Sequence, residues 1–256
     1  MNPFNQTENH PKWSPTVGLG FSLYAGYLAL FFTTWIINGV DYTRIGENVE
    51  TTKLWYALPT LVGSLFLVVA ISALQWWRIV LFDKTKSGPK WVWILPVAMF
   101  LIIFHNFAKL NTEKLTPELL LWSSLGALGV GFGEEMSTRG SMIVGLRSRF
   151  SERKVWLYST LLFSALHIPN VIFGLPLAAM PIQVLLTFIM GSGFYAMRRI
   201  SGTLLLPMLL HGLWDSSLFI TTSTGGTPSN VQLLVYPVAL VCVIAVILKD
   251  REAKVN

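Results

Sequence analysis

Three short patterns set ionisable side chains inside otherwise apolar runs of this 256-residue sequence. Gly133-Glu134-Glu135-Met136-Ser137-Thr138-Arg139 has the form EExxxR. Phe163-Ser164-Ala165-Leu166-His167 reads FxxxH, and His211-Gly212-Leu213-Trp214-Asp215 reads HxxxD. Each spacing is helical. Residues four apart share a helix face, so Glu135 can pair with Arg139, His211 shares a face with Asp215, and Phe163 lies one turn from His167. Glu134 points about 100° away from Glu135. Two acids, two imidazoles and a further carboxylate are the groups that activate water. A carboxylate takes a proton from water or binds a metal that lowers the water's pKa, and neutral imidazoles ligate a metal or orient an attacked carbonyl. A buried acid without a partner would neutralise itself, which is a reason to have Arg139 nearby.

The elements that must carry these groups follow from composition. Hydrophobic residues make up 53% of the chain and charged residues only 12%, against roughly 25% charged in an ordinary soluble domain. Mean hydropathy is +0.56. One soluble core of this size cannot hide that much apolar surface. Ten Trp agree with a membrane setting, because Trp and Tyr collect at bilayer interfaces. The composition excludes disordered, collagen-like and disulfide-rich classes. Cys242 is the single cysteine and lies in an apolar run, so there is no disulfide framework and no cysteine metal site. The formal charge of +6 reads as loop charge between apolar runs, not as nucleic-acid binding.

At about 20 residues per crossing, the apolar runs 17–40, 54–74, 91–108, 117–146, 155–168, 175–197, 203–220 and 231–248 predict an all-α bundle of about eight membrane spans. The first run is too long for a signal-peptide core and is read as a retained span. With a cytoplasmic N-terminus, the alternation puts fourteen of the 19 Lys and Arg inside and four outside (Arg44, Lys53, Lys109 and Lys114), with Arg139 inside a span. The positive-inside rule then puts both termini in the cytoplasm. The chain divides into three leading spans (1–116), a four-span core (117–220) that carries all three patterns, and a final span with its tail (221–256).

The basic loops also measure depth. Glu134 precedes Arg147 by 13 residues, His167 follows Lys154 by 13, and His211 follows Arg199 by 12. Each therefore sits about 18–20 Å along its helix from the inner charges, near the middle of a hydrocarbon core about 30 Å thick. Bland readings exist for each pattern alone. Glu135–Arg139 suits a stabilising pair, a membrane His suits a helix–helix hydrogen bond, and Asp215 suits a local cap. His105, close to an outer loop, is assigned no role. Gly191-Ser192-Gly193 reads as a small-residue packing patch. Glycines 126, 129, 131 and 133 strip one helix face, for close packing or for an approaching peptide backbone. Three patterns at one depth favour a shared site over three coincidences.

The ordered trio EExxxR, FxxxH and HxxxD resembles the family of CAAX proteases and bacteriocin-processing enzymes (the Abi family), whose eukaryotic members are the type II CAAX prenyl endopeptidases. The resemblance covers roughly 117–220. It implies a membrane-embedded endopeptidase, dependent on glutamate or on metal, with Glu134 as the base, His167 and His211 as its partners and Asp215 in the fourth position. Glu135, Arg139 and Phe163 stand in support. A divalent metal, zinc foremost, would be held by Glu134, His167 and His211, although no HExxH motif is present. Type II CAAX endopeptidases have Asn four residues after the second His; Asp215 stands there, and an ionised Asp cannot donate a hydrogen bond. The implied partners are the lipid bilayer and a membrane-associated or lipid-modified peptide; the long cytoplasmic loops point to a prokaryotic plasma membrane. The alternatives are a non-catalytic immunity or peptide-binding scaffold, and a small transporter using the same groups as a proton relay.

Overall fold

The computed structural model describes residues 11–252 of the chain. The two termini expected in the cytoplasm, with Lys254, lie partly outside the described residues. Those described are helical or in turns and loops, with one isolated bridge, Phe82 to Thr203, in place of any strand. The helices are α1 (Val17–Ile37), α2 (Val49–Leu74), α3 (Trp77–Leu81), α4 (Ile94–Phe107), α5 (Pro117–Glu135), α6 (Ile143–Arg147), α7 (Glu152–Ala165), α8 (Met180–Ser201), α9 (Leu205–Ser223) and α10 (Val235–Glu252). All eight apolar runs are helical. Among the described residues five helical stretches are long and apolar enough to cross a membrane: Val17–Ile37, Val49–Leu74, Lys90–Phe107, Met180–Ser201 and Asn230–Asp250. The chain is an integral membrane protein. The three stretches below that threshold, around α5, α7 and α9, are the ones that carry the three patterns.

Local chemistry explains the breaks. Thr16 caps α1 by accepting from the Leu19 amide at 3.1 Å, and Asn48 with Thr51 forms a reciprocal capping box at the start of α2, each satisfying otherwise orphaned amides. Pro59 lacks the amide that would bond the Trp55 carbonyl in a regular helix. A π-helical stretch, Thr52–Ala57, lies just before it, and the Trp55 carbonyl accepts from the Trp35 indole at 2.8 Å, tying α1 to α2. A second π stretch, Met136–Met142, joins α5 to α6 inside the EExxxR pattern. Such wide turns are common at functional sites.

The core helices touch through glycines. Gly131 of α5 and Gly212 of α9 face one another, and a side-chain carbon at Gly212 would stand 2.7 Å from the Ala127 carbonyl oxygen. Ser64 of α2 donates to the Gly129 carbonyl at 3.2 Å. The stripped face of α5 therefore serves close packing on both flanks. Outward faces carry apolar side chains, Leu65, Phe104, Leu128 and Ile182 among them, as a lipid-facing surface requires and a soluble monomer rarely tolerates. His105 is exposed on α4.

One end of the bundle is closed by ions. Asp83, in the loop after α3, accepts from Arg147 at 2.8 Å, Arg198 at 2.7 Å and Arg199 at 3.2 Å. Arg147 also binds Glu152 at 2.6 Å, and Arg199 binds Asp250 at 2.9 Å. Burial pushes the Asp83 carboxyl up, but the Arg198 and Arg147 guanidiniums outweigh it and hold the group well below the usual carboxylate range. Arg147, Arg198 and Arg199 are thus not the solvated loop charges that their positions in the sequence suggest; they are consumed in cross-helix pairs. Arg44 and Lys114 lie at the opposite end, around a polar recess.

Candidate active site

The three patterns meet where α5, α7 and α9 pack together. Glu134 and Glu135 close α5, and both are buried, Glu135 completely. Arg139, also fully buried, donates to Glu135 Oε1 at 3.0 Å across the π stretch, as the four-residue spacing predicts. The sequence does not show that Glu135 has a second partner on another helix. His211 Nδ1 stands 3.0 Å from the same Oε1. Glu135 therefore bridges the guanidinium and the imidazole, and as an acceptor it receives a hydrogen bond from His211 Nδ1–H. That leaves His211 Nε2 facing Glu134 Oε2 at 4.0 Å and Asp215 Oδ2 at 3.8 Å.

Aromatic rings fix these groups in place. The Arg139 guanidinium lies 3.7 Å from the centroid of Phe163, a desolvated cation–π contact. Phe163 also meets His167 edge-on at 5.4 Å and His211 at 5.7 Å. The Phe of the FxxxH pattern is thus the hub between the cation and both imidazoles. Phe194 of α8 stacks on His211 at 4.5 Å. Gly191 earns its place because any side chain there would collide with the Arg139 guanidinium; Ser192 accepts from the Trp156 indole at 3.1 Å. The Gly191-Ser192-Gly193 run is a packing patch, as read from the sequence.

His167 lies two residues beyond the end of α7, which stops at Ala165 and passes into the short helical turn Ile168–Val171, which contains Pro169. Its Nδ1 is 3.1 Å from the Phe163 carbonyl and must donate to it, which leaves Nε2 as a lone-pair acceptor. Glu134, His167 and Asp215 line one cavity of about 310 Å³, walled on the other side by aromatic residues of α1 and α2. A second recess of about 390 Å³, against α8 and α10, shares His167 and Asp215 and adds His211. The polar recess that holds Arg44 and Lys114 reaches Asp215 as well. Asp215 stands where the three spaces meet.

Among the described residues no three His, Cys, Asp or Glu side chains form a group able to hold a metal ion. Glu134, His167 and His211 are neighbours, and each imidazole holds Nδ1 in a hydrogen bond to the protein with Nε2 left over. What the arrangement offers is a carboxylate with a free oxygen, since Glu134 Oε2 has no hydrogen-bond partner, beside two imidazole Nε2 atoms. Such a set can hold a water, take its proton and return it.

Reasoning from motifs missed the other wall of the cavity. Tyr27, Trp35, Tyr42 and Tyr56 line it, and Tyr42 is fixed by Gln183 at 2.6 Å, itself held by Asn170 at 3.1 Å. The available signal was the glycine pattern: Gly133 makes room for the Tyr27 ring, and Gly126 for that of Tyr56.

Residues 116–217 match the family model described as Rce1-like, type II CAAX prenyl endopeptidase Rce1-like. The match spans all three patterns, from the residue that caps α5 to two residues beyond Asp215. No curated protein and no solved structure matches the chain.

Proposed function

We propose, from the premise that this core is that of a CAAX protease family member, that the chain is an intramembrane endopeptidase working through a glutamate-activated water. The observation that carries the reading is the unpartnered Glu134 Oε2 in a cavity shared with His167 and Asp215. Glu134 takes a proton from water while the water oxygen bonds to the scissile carbonyl carbon. His167 Nε2 accepts the water's second hydrogen and aims its lone pair. When the tetrahedral species collapses, the C–N bond breaks and the leaving nitrogen receives the proton that Glu134 holds. His211, oriented by Glu135, sits beside Glu134, and in its imidazolium form its Nε2–H favours the ionised Glu134 carboxylate.

The substrate is a membrane-associated or lipid-modified peptide, or the membrane-proximal part of another protein, in a prokaryotic plasma membrane. All eight apolar helices cross the bilayer, with the Asp83 cluster on the cytoplasmic side and both termini there. The recess at Arg44 and Lys114 then opens outward.

The test uses the purified full chain in proteoliposomes with internally quenched peptides, lipidated and unlipidated. Wild type cleaves at least one, and Glu134→Gln and His167→Ala abolish turnover while insertion persists. Turnover retained in Glu134→Gln overturns the reading. Zinc near one per chain, lost together with activity in both variants, would replace the free water by a metal-bound one. Peptide binding without cleavage by wild type would point to the scaffold alternative.

A further inference from the structure

A recess of about 770 Å³ lies over the Asp83 cluster, at the end of the bundle remote from Arg44 and Lys114. The cluster beneath it is electrically balanced: Arg147, Arg198 and Arg199 face Asp83, Glu152 and Asp250. The wall of the recess is not. Lys84 and Lys86 line it, both exposed, and neither pairs with a carboxylate among the described residues. Two positive charges therefore stand in surplus over a neutral floor.

The fold places these lysines. Their loop is bonded along the end of α8, the Asp83 amide donating to the Gly202 carbonyl and the Ser87 amide to the Arg199 carbonyl, each at 2.9 Å. The carbon stem of Lys86 lies on Gly202, where the backbone takes a φ of +75° and any side chain would collide with it. Such a stem packs along the protein and leaves its ammonium in the open. A loop cation that only marks one side of a membrane needs neither the notch nor the recess.

The surroundings say which anion fits. Ile79, Phe82, Val144 and Phe150 share the lining with the lysines, and Phe82 is 50% exposed. An apolar wall beside two ammonium groups suits an amphiphile, not a free ion. Tryptophans surround it. Trp13 lies between Pro11 and Pro15, which line the recess, and its carbonyl accepts from the Trp76 indole at 2.7 Å. Trp91 and Trp93 follow the lysine loop, and with Trp13 they are exposed. Exposed Trp collects at the bilayer–water boundary, so the lysines stand at headgroup level, where basic pockets between membrane helices hold anionic headgroups.

We infer that this recess is a binding site for an anionic phospholipid, whose phosphate accepts from the Lys84 and Lys86 ammonium groups while its acyl chains lie against Phe82 and Ile79. The bound lipid clamps the loop after α3 to the end of α8. The inference goes beyond the endopeptidase reading and is read by binding, so failure to cleave any peptide leaves it standing.

The test titrates the full chain, purified in dodecyl maltoside, with dioctanoyl phosphatidylglycerol, dioctanoyl phosphatidylcholine or sodium phosphate. Native mass spectrometry counts bound lipid, and melting temperature reports stabilisation by a ligand of the folded state. Wild type should bind phosphatidylglycerol at least about tenfold more tightly than phosphatidylcholine, with a rising melting temperature. Lys84→Gln/Lys86→Gln should weaken that binding about 10- to 30-fold, whereas Lys53→Gln/Lys109→Gln, which removes the same charge away from the recess, should stay within twofold. Phe82→Asp keeps both lysines, sets a carboxylate on the apolar wall and should cost about tenfold. Equal affinity of wild type for the two lipids overturns the inference, as does an equal loss in the two lysine pairs or unchanged binding in Lys84→Gln/Lys86→Gln or in Phe82→Asp. Sodium phosphate that displaces phosphatidylglycerol and raises the melting temperature as far assigns the recess to free phosphate and overturns the lipid.

Discussion

The ionic cluster at Asp83 and the candidate-site cluster at Glu134 are both buried, and both are built from carboxylates and guanidiniums drawn from several helices. They differ in balance. Around Asp83, three arginines meet three carboxylates, and Asp83 itself accepts from all three. Around Glu134, three carboxylates share the single fixed cation Arg139, and Glu134, Glu135 and Arg139 each keep an atom without a partner. A charge-balanced buried network holds helices in register, and around Asp83 only Arg199 Nε and Asp250 Oδ2, at its rim, lack a hydrogen-bond partner. A network with carboxylates in excess is a burden on stability, and it persists where substrate or water completes it. The difference separates the frame of this molecule from its chemistry, and each variant below presses on one side of it.

The largest effect belongs to Glu134→Gln, which keeps shape and removes the base. Turnover should fall by at least about a thousandfold while the melting temperature stays put, because the lost oxygen had no protein partner. Asp83→Ala should do the reverse. It leaves three guanidiniums facing one another and should destabilise the fold by about 3–5 kcal/mol, read as a lowered melting temperature in detergent. A stable Asp83→Ala protein would break the contrast.

Glu135→Gln lies between the two. It weakens both the Arg139 pair and the orientation of His211, so kcat should drop about a hundredfold with a measurable loss of stability. Phe163→Leu keeps apolar volume but removes the cation–π face. A loss of roughly 2 kcal/mol follows from the desolvated contact, measurable by chemical denaturation. The smallest effect is one of pH. The Asp83 carboxyl is held below its ordinary value, so its contribution to stability is complete above its unfolded pKa of about 4 and is lost as pH falls through the lower folded value. Melting temperature should therefore be flat from pH 5 to 8 as far as this group decides it, and should fall only in acid.

Legibility in the sequence followed the range of the interaction. The helical stretches were readable because a membrane chain needs long apolar runs, and five of those among the described residues are long and apolar enough to cross a bilayer. Glu135 with Arg139 and His211 beside Asp215 were readable because four residues make one helical turn. Arg147, Arg198 and Arg199 misled for the same reason: each reads as a loop cation, since Asp83, which gathers them, lies 64 or more residues away. The weak apolar character of α5, α7 and α9 is a local signal too, because the site helices trade hydropathy for glycines and charges.

Sequence alone determined a helical membrane chain and the helical spacing within its three charged patterns, since these depend on composition and on the fixed pitch of a helix. Tertiary structure decided that Glu135 turns His211 toward Glu134, that Phe163 joins Arg139 to both imidazoles, and that Tyr27 and Tyr56 wall the cavity that Glu134 lines. Glu135 and His211 stand 76 positions apart and Phe163 and His211 48, and only helix packing through glycine notches brings them together.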